Sequence, residues 1–308
     1  MRIIFIGSGE IGVPTLEGLA HAHEVAAVFT RPDRPAGRGK KLRATPIKEA
    51  AQKLGLELHQ PESVNFPESL RLIEELKPEV IVVASYGEIL SKELLEIPQR
   101  GTINLHASLL PKYRGAAPIE WAIIRGEQET GITTFLMDEG MDTGDILMQR
   151  RVPIEEDDTA GSLHDKLAEV GAEVMLETLG GLERSILKPQ PQDHSRATYA
   201  PKLKKELGKL DWSRPSRELF NLIRGLNPAP GAFTFFKGKR LKVHWARVVD
   251  LDHQGRPGEV VSVDEGLIVK TGDGVLELSE VQPEGKRPMG GPDFVRGYKV
   301  TKGDRLGE

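Results

Sequence analysis

The 308-residue chain contains no cysteine, which removes disulfides, thiolate metal sites and thiol nucleophiles together. Aromatic residues make up only 5%. Asn and Gln are also few, a leaning shared with thermophile proteins. No apolar run approaches the roughly 20 residues that cross a bilayer, and the I-I-F-I run stops at Gly7, too short for a signal-peptide core. No membrane association is expected, the cytoplasm is the expected location, and no obligate protein partner is evident. Hydrophobic residues at 38% and charged residues at 29% are the make-up of a globular chain rather than a disordered one.

The formal net charge of -4 hides an asymmetry. Residues 1–200 carry 22 Lys and Arg against 31 Asp and Glu, whereas residues 201–308 carry 20 against 15. Residues 202–247 hold 12 basic side chains and 3 acidic ones, and residues 31–48 form a second basic island with 7 against 1. Two basic patches on an acidic protein suit a polyanionic partner, although a solvated basic face has the same composition.

Short β-branched runs at 2–6, 25–29, 80–84 and 102–105 alternate with amphipathic stretches at 14–20, 46–54, 67–76 and 117–124, several opening with Pro. This predicts an α/β domain built on a Rossmann-like, doubly wound parallel sheet over residues 1–187, with a further strand at 131–137 and a long helix at 162–182. Residues 188–208, rich in Pro, Lys and Gln, read as a linker. Beyond one helix at 215–224, short strands at 233–236, 241–249, 259–263, 267–270 and 275–278 predict a small OB-like β-barrel within a second domain, 209–308.

Gly7, Gly9 and Gly12 spell G-S-G-E-I-G between the first strand and the first helix, the context of a dinucleotide fingerprint. The second strand ends V-F-T-R, without the acid that binds a ribose, so NAD fits poorly. Arg31 leaves an NADP-dependent reductase open, but a tight strand-to-helix turn needing small residues is the commoner reason for such glycines. A denser signal starts at N-L-H-A-S-L-L-P-K-Y-R-G-A-A-P: Asn104 and His106 alternate at the end of a strand and share one face at the carboxyl edge, where α/β sheets bind ligands. An Asn amide donates to an oxyanion and His moves protons near neutrality. Asp142 lies in the turn M-D-E-G-M-D-T-G-D, with Asp138 and Glu139 before it. Asp145 is expected to satisfy backbone N–H groups of its own turn, and clustered loop acids without His or Cys make a poor metal site.

These two stretches, with G-M-D-T-G-D-I-L closing the second, resemble the active site of the folate-dependent formyltransferase family. The resemblance covers essentially the full length. R-P-D-R-P-A-G-R-G-K-K-L at 31–42, T-Y-A-P-K-L at 198–203 and L-N-P-A-P-G-A at 226–232 point to the branch of the family that acts on charged tRNA, and Ala107 stands where members commonly have Gly. The resemblance implies a Rossmann-like domain without a dinucleotide and without a metal, and transfer of a formyl group from 10-formyltetrahydrofolate to the α-amine of methionyl-initiator tRNA. It implies catalytic roles for Asn104, His106 and Asp142, and folate contact at Ser108, Leu109, Leu110 and Pro111. It further implies tRNA contact by Arg38, Lys40, Lys41 and Arg43 in the first basic island and by Lys202, Lys204 and Lys205 in the second. A small-molecule acceptor within the same fold is the alternative.

Overall fold

The computed structural model describes residues 1–36, 41–251, 253–264 and 266–307. It divides into two compact units, one of Met1–Pro118, Glu129–Pro153 and His164–Ala200, the other of Ile119–Gln128, Ile154–Leu163 and Pro201–Glu308. In chain order the first 200 residues form β1 (Arg2–Gly7), α1 (Val13–Ala22), β2 (Glu24–Phe29), α2 (Pro46–Lys53), β3 (Leu58–His59), α3 (Pro67–Glu75), β4 (Val80–Ala84) and α4 (Lys92–Glu96). They continue with β5 (Thr102–His106), α5 (Pro118–Ile124), β6 (Glu129–Leu136), β7 (Ile146–Pro153) and α6 (Ala160–Glu183).

The first unit is built on one sheet in the order β7-β6-β5-β4-β1-β2-β3. Strands β1 to β5 pair in parallel. Ile3, Ile4, Phe5 and Ile6 are all fully buried, so both faces of β1 are covered, as parallel strands require. The sheet is not parallel throughout: β6 runs antiparallel to β5 and to β7. The nine residues between β6 and β7 suffice for a hairpin return, not for the crossover that parallel neighbours need. The first glycine of G-S-G-E-I-G has a packing reason, because a Cβ on Gly7 would sit 2.7 Å from the Ala84 carbonyl oxygen of β4. That approach requires glycine with or without a ligand. Helices α2 and α3 each begin with Pro, and the Thr45 hydroxyl accepts from the Lys48 backbone N–H at 3.1 Å.

The second unit contains α7 (Ser216–Gly225), then β8 (Ala232–Phe236), β9 (Lys239–Val249), β10 (Val260–Ser262), β11 (Ile268–Lys270), β12 (Val275–Pro283), β13 (Met289–Gly290) and α8 (Gly291–Tyr298). Its antiparallel sheet runs β8-β9-β12-β11-β10, with β13 beside β12. The C-terminal segment bridges both edges, Leu306 to Phe236 of β8 and Arg305 to Glu259 before β10, which closes the sheet on itself. Inward residues Leu241, Val243, Leu276, Leu278 and Val281 fill the closed sheet, capped by Phe294 of α8. Among the described residues no helix is long and apolar enough to cross a membrane.

Candidate active site

Strand β5 lies inside the sheet of the first unit, with β4 on one side and β6 on the other, and it ends at His106. Pleating sends Ile103 and Leu105 into one face and Asn104 and His106 to the other. Asn104 stands opposite Val83 and Phe135, His106 opposite Thr133. His106 is 6% exposed, and its Nε2 lies 2.9 Å from the backbone carbonyl of Tyr113. A carbonyl only accepts, so Nε2 carries the ring proton and donates it there. Nδ1 faces the other way, 3.8 Å from Oδ2 of Asp142. That separation is too long for a hydrogen bond and short enough for an ion pair when the ring is protonated.

The Asp142 carboxylate is fixed independently of His106. Its Oδ2 accepts from the backbone N–H of Gly115 at 2.7 Å. Gly115 has a φ of 117° and a Cβ there would lie 2.9 Å from the Ala200 carbonyl oxygen, so conformation and space both demand glycine. A two-residue parallel ladder, Arg114–Gly115 against Tyr199–Ala200, pins this turn, and Tyr113 N–H donates to the Thr198 hydroxyl at 2.9 Å. Asp142 itself takes a φ of 56°, the left-handed region that non-glycine residues seldom occupy. In the half-buried Asn104, by contrast, the side-chain amide makes no hydrogen bond to any of the described residues.

The structure thus brings Asn104, His106 and Asp142 to one sheet edge. The turn carboxylate is Asp138 and not Asp145: Asp138 Oδ1 accepts from Gly140 N–H at 3.0 Å and the Thr143 hydroxyl at 2.6 Å. Asp138 precedes the tight bend and bonds forward into it, whereas Asp145, just before β7, meets Leu136 through its backbone carbonyl. Among the described residues no three His, Asp or Glu side chains are arranged to hold a metal.

The S-L-L-P stretch is stapled to the sheet. Ser108 donates its hydroxyl proton to the Lys112 carbonyl at 2.6 Å, and the Thr133 hydroxyl donates to the Ser108 carbonyl at 2.6 Å. Gln149 donates to the Leu110 carbonyl at 2.9 Å. The side chains of Ser108 and Leu110 are buried, while Leu109 and Pro111 are partly open. Of the basic residues, Arg38 and Lys40 lie outside the described residues, and Lys41 pairs through its backbone with Ala36. Arg43 is exposed and stands directly opposite exposed Arg34 across that short hairpin. The base of the hairpin is tied by Asp33, whose carboxylate accepts hydrogen bonds from Lys48 at 2.7 Å and from Gln60 at 2.8 Å. The Gln60 hydrogen bond, then the Lys48 one, holds the Asp33 carboxyl below its ordinary value. Lys202, Lys204 and Lys205 are all exposed in the second unit.

The family profile described as formyl transferase matches residues 1–179, and the profile of the formyl transferase C-terminal domain matches residues 202–299. The chain belongs to the formyl transferase family. Among relatives of this formyl transferase, a protein of Caldanaerobacter subterraneus subsp. tengcongensis named methionyl-tRNA formyltransferase is 52% identical over 308 residues, covering 99% of this chain and 100% of that one. A protein of the same name from Acetivibrio thermocellus is 50% identical over 311 residues, with full coverage of both. Among solved structures, HypX from Aquifex aeolicus in complex with tetrahydrofolic acid aligns with a TM-score of 0.64 at 21% identity, over 99% of this chain and 50% of its own. The present formyl transferase thus spans about half of the HypX chain, and the likeness is one of fold.

Tyr113 and Gly115, inside the motif that starts at Asn104 but given no role there, and Thr133, Gln149 and Gln192, outside any motif, shape this formyl transferase site. Each acts through a backbone group or on one, and such interactions follow from the folded path rather than from residue spacing. Gln192 in particular falls in P-Q-P-Q-D-H, a stretch with no periodicity.

Proposed function

We propose that the chain transfers the formyl group of 10-formyltetrahydrofolate to the α-amine of methionine esterified to initiator tRNA, in the cytoplasm. The observation that carries the reading is an Asn amide with no protein partner among the described residues beside a His–Asp pair of fixed orientation, all at the carboxyl edge of the sheet. In the reaction the neutral amine attacks the formyl carbon, a C–N bond forms and the formyl oxygen becomes an oxyanion. Collapse breaks the bond to N10 of the folate; the amine loses one proton and N10 gains one. Asn104 donates its amide N–H to the oxyanion.

His106 contributes through Nδ1, because Nε2 is already committed to the Tyr113 carbonyl. Asp142 sits 3.8 Å from Nδ1 and serves as an acceptor on the path of the amine proton. Ser108, the hydroxyl residue next along from His106, is fully buried with its proton on a backbone carbonyl, so it offers no nucleophile. Formyl therefore passes directly from folate to amine without a formyl-enzyme. Leu109 and Pro111 are the members of S-L-L-P open to the folate, with Ser108 and Leu110 supporting them from inside.

The tRNA is held by charge. Arg34 and Arg43, like charges directly opposite on a hairpin, repel one another until an anion lies between or above them. A row of phosphates supplies that anion, and Arg38, Lys40 and Lys41 add to the basic residues of the same stretch of sequence. Lys202, Lys204 and Lys205 give the second unit its own phosphate-binding groups. The test is incubation with 10-formyltetrahydrofolate and methionyl-initiator tRNA. Formylmethionyl-tRNA should form in proportion to folate consumed, whereas release of formate without tRNA product, or equal transfer to free methionine, would overturn the reading.

A further inference from the structure

Gln192 is 6% exposed, and both ends of its carboxamide are used inside the first unit. Nε2 donates to the backbone carbonyls of Asp142 at 2.9 Å and Gly144 at 2.8 Å. Oε1 accepts from an Nη of Arg114 at 2.6 Å. The orientation is fixed by chemistry, since two carbonyls can only accept and a guanidinium can only donate. Arg114 is itself 3% exposed, pairs with no carboxylate among the described residues, and has its second interaction with the Nδ1 of His194 at 3.0 Å. The residue after Arg114 is Gly115, whose N–H holds the Asp142 carboxylate. Arg114, Gln192, the 142–144 backbone and Gly115 therefore form a closed ring of interactions around Asp142.

Asp142 needs that ring. Its left-handed φ of 56° is disfavoured for a residue with a Cβ, so a loop left to itself relaxes away from it. Relaxation would rotate the carboxylate off both the Gly115 N–H and the Nδ1 of His106. Two donor bonds to the carbonyls of Asp142 and Gly144 hold the backbone on either side of Thr143, and Arg114 holds the donor.

We propose that Gln192 is a positioning residue for formyl transfer: through Asp142 it keeps the proton-handling pair in register, without touching either substrate. The proposal rests on the reading of Asn104, His106 and Asp142 given above. It is separable from a second role that the same hydrogen bonds would allow, namely that Gln192 merely supplies a polar partner for the buried Arg114 charge.

Gln192→Glu distinguishes the two. Its carboxylate pairs with Arg114 at least as well as the amide does, but it cannot donate to two carbonyls and repels them. Positioning predicts that Gln192→Glu and the similarly shaped Gln192→Met both lower kcat by about 100-fold, the scale of a misplaced reacting group, while the KM values for formyl-folate and for charged tRNA change little. In an Asp142→Ala background, Gln192→Glu should cost nothing further. A Gln192→Glu enzyme with wild-type kcat, or a loss that multiplies with Asp142→Ala, overturns the proposal. If Gln192→Met does not fold, the Glu variant decides alone. Hydrogen exchange at the Gly115 amide supplies a readout that needs no turnover: it should quicken in Gln192→Glu, and unchanged protection would refute the proposal. A wild-type protein that forms no formylmethionyl-tRNA would instead refute the functional reading, leaving the exchange result to judge the positioning role.

Discussion

Asn104 and His106 occupy alternate positions on one strand, yet their side chains meet opposite requirements. His106 is buried and tied at Nε2, so its ring plane and the nitrogen that donates to Tyr113 are set before any substrate arrives. The Asn104 amide has no partner among the described residues, which is the condition for a donor that must bond to charge only as it develops. Asn104→Asp keeps the shape and replaces the donor nitrogen by an oxygen acceptor beside the oxyanion. It should lower kcat by at least the roughly 100-fold that loss of one oxyanion donor costs, with KM for formyl-folate little changed. Steady-state kinetics with both substrates varied checks this; a rise confined to KM would mean that Asn104 binds ground state and transition state alike.

Among the elements, the paired strands Arg34–Ala36 and Lys41–Arg43 carry the clearest division of labour. Their base is neutralised by the bonds from Lys48 and Gln60 to Asp33, while their arms place Arg34 opposite Arg43 with no carboxylate paired to either among the described residues. Fixed root and uncompensated arms suit a segment that meets phosphates. The double variant Arg34→Ala/Arg43→Ala should raise KM for charged tRNA several-fold and leave KM for formyl-folate unchanged. It should also flatten the salt dependence of tRNA binding by about one unit of slope for each phosphate that is no longer neutralised. Kinetics at two ionic strengths measures it, and an unchanged tRNA response would assign the hairpin to solvent. The turn at Gly115 is the complementary case: its one cation, Arg114, is buried against Gln192, and the turn is held by the ladder to Tyr199–Ala200.

At the scale of the molecule, the parallel strands and the closed antiparallel sheet were legible because each leaves a period in the sequence: continuous apolar runs such as I-I-F-I where both faces are buried, short alternating strands where one is. Strand β7 was not legible, since I-L-M-Q-R-R-V-P carries Arg150 and Arg151 outward, Arg150 binding Glu173 and Glu177 of α6. The residues at Met289–Gly290 and 305–306 that complete the second sheet are too few to show any period. Asn104, His106 and Asp142 stood out by residue type and by position at a strand end and in a Gly turn. Gln192 did not, because its partners are carbonyls that every residue carries. In the proposed reaction those three side chains act as one device on the formyl group. Single-turnover formation of formylmethionyl-tRNA, with enzyme in excess and both substrates saturating, isolates that step for the wild type and for Asn104→Ala, His106→Ala and Asp142→Ala. Each variant should remain folded and bind both substrates while the transfer rate falls by about 100-fold or more; near-wild-type transfer in two of the three would contradict the assignment.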